Sequence, residues 1–355
     1  MTRKIRFLIL VICVALFFIA APYIITYSLG YRIDFEQKKL VITGGIYVKA
    51  LPQGADIIVD SKISNRTSLL SPTVFVQNLL PKQHSILIKK DGYHDYKKTL
   101  EVKEKEVIRL ERVVLFKEKI PFEDLTDKTN SPFLKKDQEQ IFIIKNGDLY
   151  KNSPEKSLAI LKKIISFEVS GNNIIWLGLD GFLYSSNQDG NNTDKLSQTP
   201  LKVDNNSSYK IVIAAQNIFL LENNNFLLLN QKTKKFETFY SLVKNFKISP
   251  DGQKILYYNE SEIMYSYLNS DNPEKIFLNR FSEKIEECFW LGDNYLIFNI
   301  GEKIIISEID NRDNINMITL QQTLSPGDKI FFNQQDKKLY ILTGNNILVS
   351  ERLIP

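Results

Sequence analysis

Phe246-Lys247-Ile248-Ser249-Pro250-Asp251-Gly252-Gln253-Lys254-Ile255-Leu256-Tyr257 carries an apolar strand pattern, a tight turn and a second apolar pattern. Proline presets φ for the turn, aspartate can accept hydrogen bonds from nearby backbone N–H groups, and glycine tolerates positive φ. The stretch therefore reads as a β-hairpin.

Working outward from it, a unit of apolar run, polar turn and second apolar run recurs through the C-terminal two thirds of the chain. It appears as Ile141–Ile144 with Leu149–Tyr150, Ile174–Leu177 with Phe182–Tyr184, and Ile218–Leu221 with Phe226–Leu229. It continues as Ile255–Tyr258 with Ile263–Tyr267, Tyr295–Phe298 with Ile304–Ile306, and Leu339–Leu342 with Ile347–Val349. The first runs start 33, 44, 37, 40 and 44 residues apart. A four-stranded propeller blade needs about 40 residues, so the spacing predicts a six-bladed β-propeller over residues 135–353. Five or seven blades also fit, especially if a terminal strand completes the first blade. A β-sandwich of similar size is the competing architecture. Radial stacking would bury the apolar faces that an isolated blade exposes.

The quoted hairpin resembles the Ser-Pro-Asp-Gly turn of TolB-like and WD40-like propeller blades. Ser170-Gly171-Asn172-Asn173 and Trp290-Leu291-Gly292-Asp293 occupy related positions without the whole phrase. This resemblance covers roughly residues 135–353 and implies fold, not chemistry.

Upstream the composition changes. Of 30 asparagines, 28 lie from Asn130 onward, and residues 119–134, interrupted by Pro121 and Pro132, read as a linker. Residues 31–118 are a separate series of short strands. Ile33–Phe35 and Leu40–Ile42 come first, then Ile46–Val48, Ile57 with Val59, Val74 with Val76, and His84–Lys89. The turn Lys90-Asp91-Gly92 and the run Tyr96–Val102 follow, and Val107–Phe116 closes the series. No helical period interrupts it, so this region reads as a small antiparallel β-sandwich with its core in residues 43–116.

That core resembles a PEGA domain. The Pro-x-Gly-Ala element is Pro52-Gln53-Gly54-Ala55, with Gln53 in place of the usual Glu. Gly45-Ile46-Tyr47-Val48 precedes it; Ile57-Ile58-Val59-Asp60, Asn78-Leu79-Leu80-Pro81 and the Ile86–Tyr93 hairpin follow. Gln83 stands where a glycine usually follows the Leu-Pro turn. The resemblance implies an exported or surface-associated module and supplies no reactive group. Pro52 and Gly54 are read as turn formers, and Tyr93 as a cap on the core.

From Phe7 to Tyr31 no residue is charged, whereas Arg3, Lys4 and Arg6 precede the run. An α-helix of about 20 residues crosses a bilayer core, so residues 7–27 are expected to be a transmembrane signal anchor in the lipid bilayer. The basic tail of residues 1–6 favours a cytoplasmic N-terminus, with the domains outside the cell membrane. A cleaved signal peptide is the rival. Ile19 opposes it, standing where a small residue is wanted for cleavage after Ala21, and apolar residues continue to Ile25. Pro22 is expected to kink the helix near its outer end.

Charge excludes one class of partner. Residues 31–130 hold 18 basic and 14 acidic groups, but residues 131–355 hold 25 basic and 27 acidic, so the larger module is slightly acidic and nucleic acid is not expected. Cys13 lies in the apolar run and Cys288 far downstream, so no disulfide joins them, and Cys288 is read as a small buried hydrophobe. The two histidines, His84 and His94, both fall in the smaller module, leaving the larger one without a His-based zinc site or a serine–histidine pair. No phosphate-binding glycine loop occurs, and no catalytic residue, metal or cofactor is expected. Asp180, Asp251, Glu260, Glu262 and Asp293 remain as carboxylates at turns and strand ends.

The sequence therefore points to an all-β ectodomain that binds or scaffolds a cell-envelope protein or glycan, with the small module holding the propeller near the membrane. The alternative is a carbohydrate-active enzyme using a carboxylate pair on the propeller. Ligand identity and oligomeric state stay open.

Overall fold

The computed structural model describes residues 3–68, 71–125, 142–151, 158–204, 206–344 and 346–355. They form two compact units: residues 1–120, 310–318 and 353–355 in the first, and residues 121–309 and 319–352 in the second.

The first unit begins with helix α1, Arg3–Ser28, which runs on through Pro22. Thr26 Oγ1 donates to the carbonyl of Pro22 at 2.9 Å. Its stretch Ile5–Ser28 is about 36 Å long at helical rise, with large apolar side chains exposed along it, and is long and apolar enough to cross a membrane.

A hairpin of β1 (Tyr31–Asp34) and β2 (Lys39–Ile42) follows. Seven further strands then form two sheets. They are β3 (Gly44–Leu51), β4 (Asp56–Val59), β5 (Lys62–Arg66), β6 (Thr73–Leu79), β7 (Gln83–Lys89), β8 (Tyr96–Glu101) and β9 (Val107–Val114). The sheet orders are β6-β3-β9 and β5-β4-β7-β8. Alternate residues of both sheets feed one apolar core, including Ile46, Val48, Ile57, Ile88, Tyr96 and Leu110.

The expected all-antiparallel pairing needs correction. β3 pairs antiparallel with β6 but parallel with β9. After β8 the chain crosses to the other sheet and enters β9 in the direction of β3, which a purely local strand pattern does not encode.

Gly54 has φ +81°, where a side chain would be strained, and Lys90 Nζ donates to the Gln53 carbonyl at 2.5 Å. The Pro52–Gly54 turn is thus held by structure, and Tyr93 packs against the core.

Edge strand β8 is covered by residues 310–318. Asn316 pairs reciprocally with Lys97, accepting from its N–H at 3.0 Å and donating to its carbonyl at 2.9 Å. Asp313 Oδ2 accepts from Thr99 N at 2.6 Å. The buried Lys98 Nζ donates to the carbonyls of Asp310 and Asn314 at 2.7 and 2.9 Å. Side chains here stand in for the missing neighbour strand, a way of blocking edge-to-edge association.

The second unit is a succession of six sheets among the described residues. In chain order β10 (Phe122–Asp124) comes first, followed by the pair β11 (Phe142–Lys145) and β12 (Asp148–Lys151). Four-stranded meanders come next. One holds β13 (Ile164–Ser170), β14 (Asn173–Gly178), β15 (Leu183–Asn187) and β16 (Asp194–Lys195). Another holds β17 (Tyr209–Ala214), β18 (Asn217–Glu222), β19 (Asn225–Leu229) and β20 (Phe236–Tyr240). A third holds β21 (Asn245–Ile248), β22 (Lys254–Tyr258), β23 (Glu262–Tyr267) and β24 (Ile276–Arg280). The fourth holds β25 (Ile285–Leu291), β26 (Tyr295–Ile300), β27 (Lys303–Glu308) and β28 (Met317–Thr323). The last sheet combines β29 (Lys329–Asn333), β30 (Lys338–Thr343) and β31 (Asn346–Arg352) with β10, in the order β10-β31-β30-β29.

The recurring apolar runs are thus the two inner strands of each four-stranded sheet, and the run that starts at 141 falls, in its described part, on the pair β11–β12. The hairpin at 249–254 is the link between the first and second strands of one of the four-stranded sheets. Strand β10 lies in the stretch 119–134 that the sequence reads as a linker; the rest of that stretch from residue 126, and residues 135–141, lie outside the described residues.

Apolar clusters sit between neighbouring sheets. Phe219, Phe226 and Phe239 of one sheet pack with Ile255 and Tyr257 of the next. Phe226 is fully buried, stacking on Phe219 at 4.9 Å and on Phe246 at 5.3 Å between ring centroids. β13 lies beside β17, β21 beside β25 and β25 beside β29, so first strands of successive sheets adjoin.

Candidate functional site

The carboxylates singled out by sequence are each engaged in local bonds. Asp180 accepts from Tyr184 Oη at 2.7 Å and Phe182 N at 3.2 Å within its own turn. Glu262 accepts from Tyr240 Oη at 2.7 Å, Asn259 Nδ2 at 3.1 Å and Arg280 Nε at 2.9 Å. The Tyr240 bond and, after it, the Arg280 guanidinium hold its carboxyl below the ordinary value despite partial burial. Glu260 pairs with Lys284 at 3.2 Å on the surface.

Asp251 and Asp293 do meet, through the Asp251 N–H, which donates to Asp293 Oδ1 at 3.0 Å. The Asp251 side chain is turned inward. Its Oδ1 accepts from Ser249 Oγ at 2.5 Å and Gln253 N at 3.0 Å, and its Oδ2 lies 2.8 Å from Lys254 Nζ. Gly252, at φ +68°, completes the turn. Burial opposes the Asp251 charge, but the bonds from Lys254, Ser249 and Gln253 outweigh it and hold the carboxyl below its usual value. General acid catalysis wants the opposite shift, a carboxyl held protonated near neutrality.

Cys288 is fully buried, and loss of water raises its thiol well above the ordinary value, consistent with a packing role. His84 is buried in the first unit, with Nδ1 2.6 Å from Asp60 Oδ2 and Nε2 2.8 Å from the Leu80 carbonyl. The His94 N–H donates to the Phe116 carbonyl at 2.9 Å. Among the described residues no group of three His, Cys, Asp or Glu side chains stands close enough to hold a metal.

A different cluster lies on the first strands of the second unit. Glu168 is on β13, Lys210 on β17, Lys247 on β21 and Glu287 on β25. Lys210 Nζ sits 4.9 Å from the centroid of Phe246, one strand on, and Lys247 Nζ sits 3.8 Å from that of Phe289, again one strand on. Phe289 meets Phe331 of β29 edge-on at 5.7 Å. Lys247 Nζ is 4.0 Å from Glu287 Oε2, which also accepts from Tyr258 Oη at 3.2 Å.

Desolvation lowers the Lys247 amine below its ordinary value; Glu287 opposes the shift and Lys210 adds to it. Desolvation likewise raises the Glu168 carboxyl, and Lys210 pulls it back. The groups share one electrostatic field. Two amines over phenyl rings, flanked on either side by a carboxylate, can orient a polar ligand and stack against its apolar parts.

Sequence reading passes over this cluster because first strands lie outside the apolar repeat. A signal was nonetheless present: Lys210, Lys247 and Glu287 each stand eight residues before the run that starts at 218, 255 or 295.

Residues 43–114 match the PEGA domain family, the module expected over residues 43–116. No curated protein matches the chain in sequence. Among solved structures, the extracellular domain of a hybrid two-component system from B. thetaiotaomicron is similar at 13% identity and TM-score 0.39, over 59% of this chain and 30% of that one. YCF48 from Cyanidioschyzon merolae is similar at 11% identity and TM-score 0.35, over 85% of this chain and 97% of that one. Catalytically inactive virginiamycin B lyase from Staphylococcus aureus with quinupristin is similar at 13% identity and TM-score 0.34, over 66% and 75%. The chain spans under a third of the length of the first of these. Likenesses this distant carry no activity across to it.

Proposed function

We propose that the chain is a membrane-anchored extracytoplasmic binding or scaffold protein. In this reading residues 7–27 hold it in the bilayer with the N-terminus cytoplasmic. The second unit closes as a six-bladed β-propeller and recognises a cell-envelope protein or glycan without turning it over.

The observation that carries the propeller is the pairing of β10 with β31. Phe122, Glu123 and Asp124 pair with Ser350, Val349 and Leu348, so a strand from the start of the unit completes its last sheet. A ring of radially stacked sheets needs such a seam to remove its free ends. Adjoining first strands support the same reading, in which the Lys210, Lys247, Glu168 and Glu287 cluster would face the inner side of the ring. Binding without chemistry is supported by the engagement of Asp180, Asp251, Glu260 and Glu262 with neighbouring side chains. The charge bias of Arg3, Lys4 and Arg6 supports the orientation.

Photo-crosslinkers placed at Lys210 and Phe331 in cells test the reading. One defined envelope component should be captured from both positions. Release of sugar fragments from envelope glycans by the purified chain would replace this reading with a glycosidase.

A further inference from the structure

We infer that the hairpin Tyr31–Ile42 is a membrane-surface element that lays an apolar face onto the headgroup region of an anionic bilayer. The inference rests on the reading of α1 as a membrane anchor.

The hairpin has two unlike faces. In its register Ile33 is opposite Leu40, and Asp34 is opposite Lys39. Directly opposed residues share a face and successive residues alternate. Asp34 and Val41 point inward, each 2% exposed, and Asp34 Oδ1 fixes the turn by accepting from Glu36 N at 2.8 Å and Gln37 N at 3.1 Å. The outward side carries the Ile33–Leu40 pair, 52% and 56% exposed, and the turn carries Phe35, 83% exposed. An exposed patch of this kind on so short an element calls for a partner.

Continuity with α1 identifies that partner. Only Leu29 and Gly30 separate Ser28 from Tyr31. The junction is rigidly made: Arg32 lies 3.4 Å over the ring of Tyr27 and donates to the Tyr27 carbonyl and to Asn78 Oδ1, while Thr43 N donates to the Gly30 carbonyl. The headgroup layer beyond the hydrocarbon core is about 5–8 Å deep on each side and a strand of four residues extends roughly 13 Å, so the apolar face enters that layer with the hairpin lying along the membrane surface. Lys38, exposed in the turn beside Phe35, supplies positive charge complementary to anionic headgroups, while Glu36 of the same turn is paired with Lys82 at 3.0 Å.

The test uses the full chain in vesicles of phosphatidylcholine and phosphatidylglycerol whose acyl chains are brominated both near the headgroup and near the chain end. Tryptophan emission is compared among F35W, F17W within α1, and L242W on an exposed turn of the second unit, each relative to the parent protein. F35W and F17W should lose most of their added emission and L242W should keep it. Quenching of F17W without quenching of F35W would overturn the hairpin proposal while leaving the anchor in place, and would also be the result if a protein covers the patch. Absence of quenching in both would remove the anchor reading and the proposal with it.

Discussion

Lys254 Nζ lies 2.8 Å from Asp251 Oδ2 with only 1% of the lysine side chain exposed, so the charge that closes the Ser-Pro-Asp-Gly turn is buried beneath it. Removing one partner of such a pair leaves the other charge uncompensated. Asp251→Ala should destabilise the second unit by about 3–5 kcal/mol, and Lys254→Met by clearly less, because it removes the buried charge itself. Urea unfolding followed by tryptophan fluorescence, with Trp290 close by, measures both.

The same pair gives a pH dependence. The folded carboxyl lies below its ordinary value of 3.8. Its stabilisation is therefore complete above the unfolded value and is lost as pH falls through the folded one. Melting temperature should drop as acid is added below about pH 3.9, and Asp251→Asn should flatten that part of the profile. An unchanged profile in the variant would separate the pair from acid stability.

Phe226 is fully enclosed between two sheets, stacked on Phe219 and Phe246. Phe226→Ala should cost about 3–5 kcal/mol, with Phe226→Leu milder because it refills part of the void. Thermal unfolding of the two variants gives the comparison.

Much of the second unit was legible because its middle strands are buried on both faces. Every residue of β22 and of β26 is buried, which produces the unbroken apolar runs at 255–258 and 295–298. The outer strands left no such trace. β20 reads Phe-Glu-Thr-Phe-Tyr with mixed burial, and β16 has only Asp194 and Lys195. The first strands mix charge with apolar residues, which hid Glu168, Lys210, Lys247 and Glu287. In the first unit the turn chemistry of Pro52–Gly54 was visible, whereas the parallel β3–β9 pairing depends on a crossover. The cover over β8 comes from residues more than 200 positions away, as the Lys97–Asn316 bond shows, and local patterns do not encode it.

Glu123 and Val349 are register partners across the β10–β31 seam. A Glu123→Cys/Val349→Cys pair should form a disulfide on mild oxidation, since opposed residues have Cα atoms roughly 4.5–5.5 Å apart, and should raise the melting temperature. Mass spectrometry of the digested protein reads the cross-link. Persistent free thiols at both positions would argue against the seam.

Asn316 and Asp313 satisfy backbone groups of β8 at Lys97 and Thr99. Removing one hydrogen bond worth about 1 kcal/mol should speed local amide exchange roughly fivefold. Asn316→Ala should therefore expose the Lys97 amide, and Asp313→Ala the Thr99 amide, in hydrogen-exchange mass spectrometry.

Partner capture by the full chain, wild type against Lys210→Glu/Lys247→Glu, tests the binding reading most directly, with Leu242→Ser as a surface control. Reversing the two amines should abolish recovery of a specific cell-envelope component while the secondary structure is kept, with a lowered melting temperature because Glu287 and Glu168 lose their cationic neighbours, and the control should capture normally. Equal capture by the double variant and the wild type would contradict recognition through the first-strand cluster.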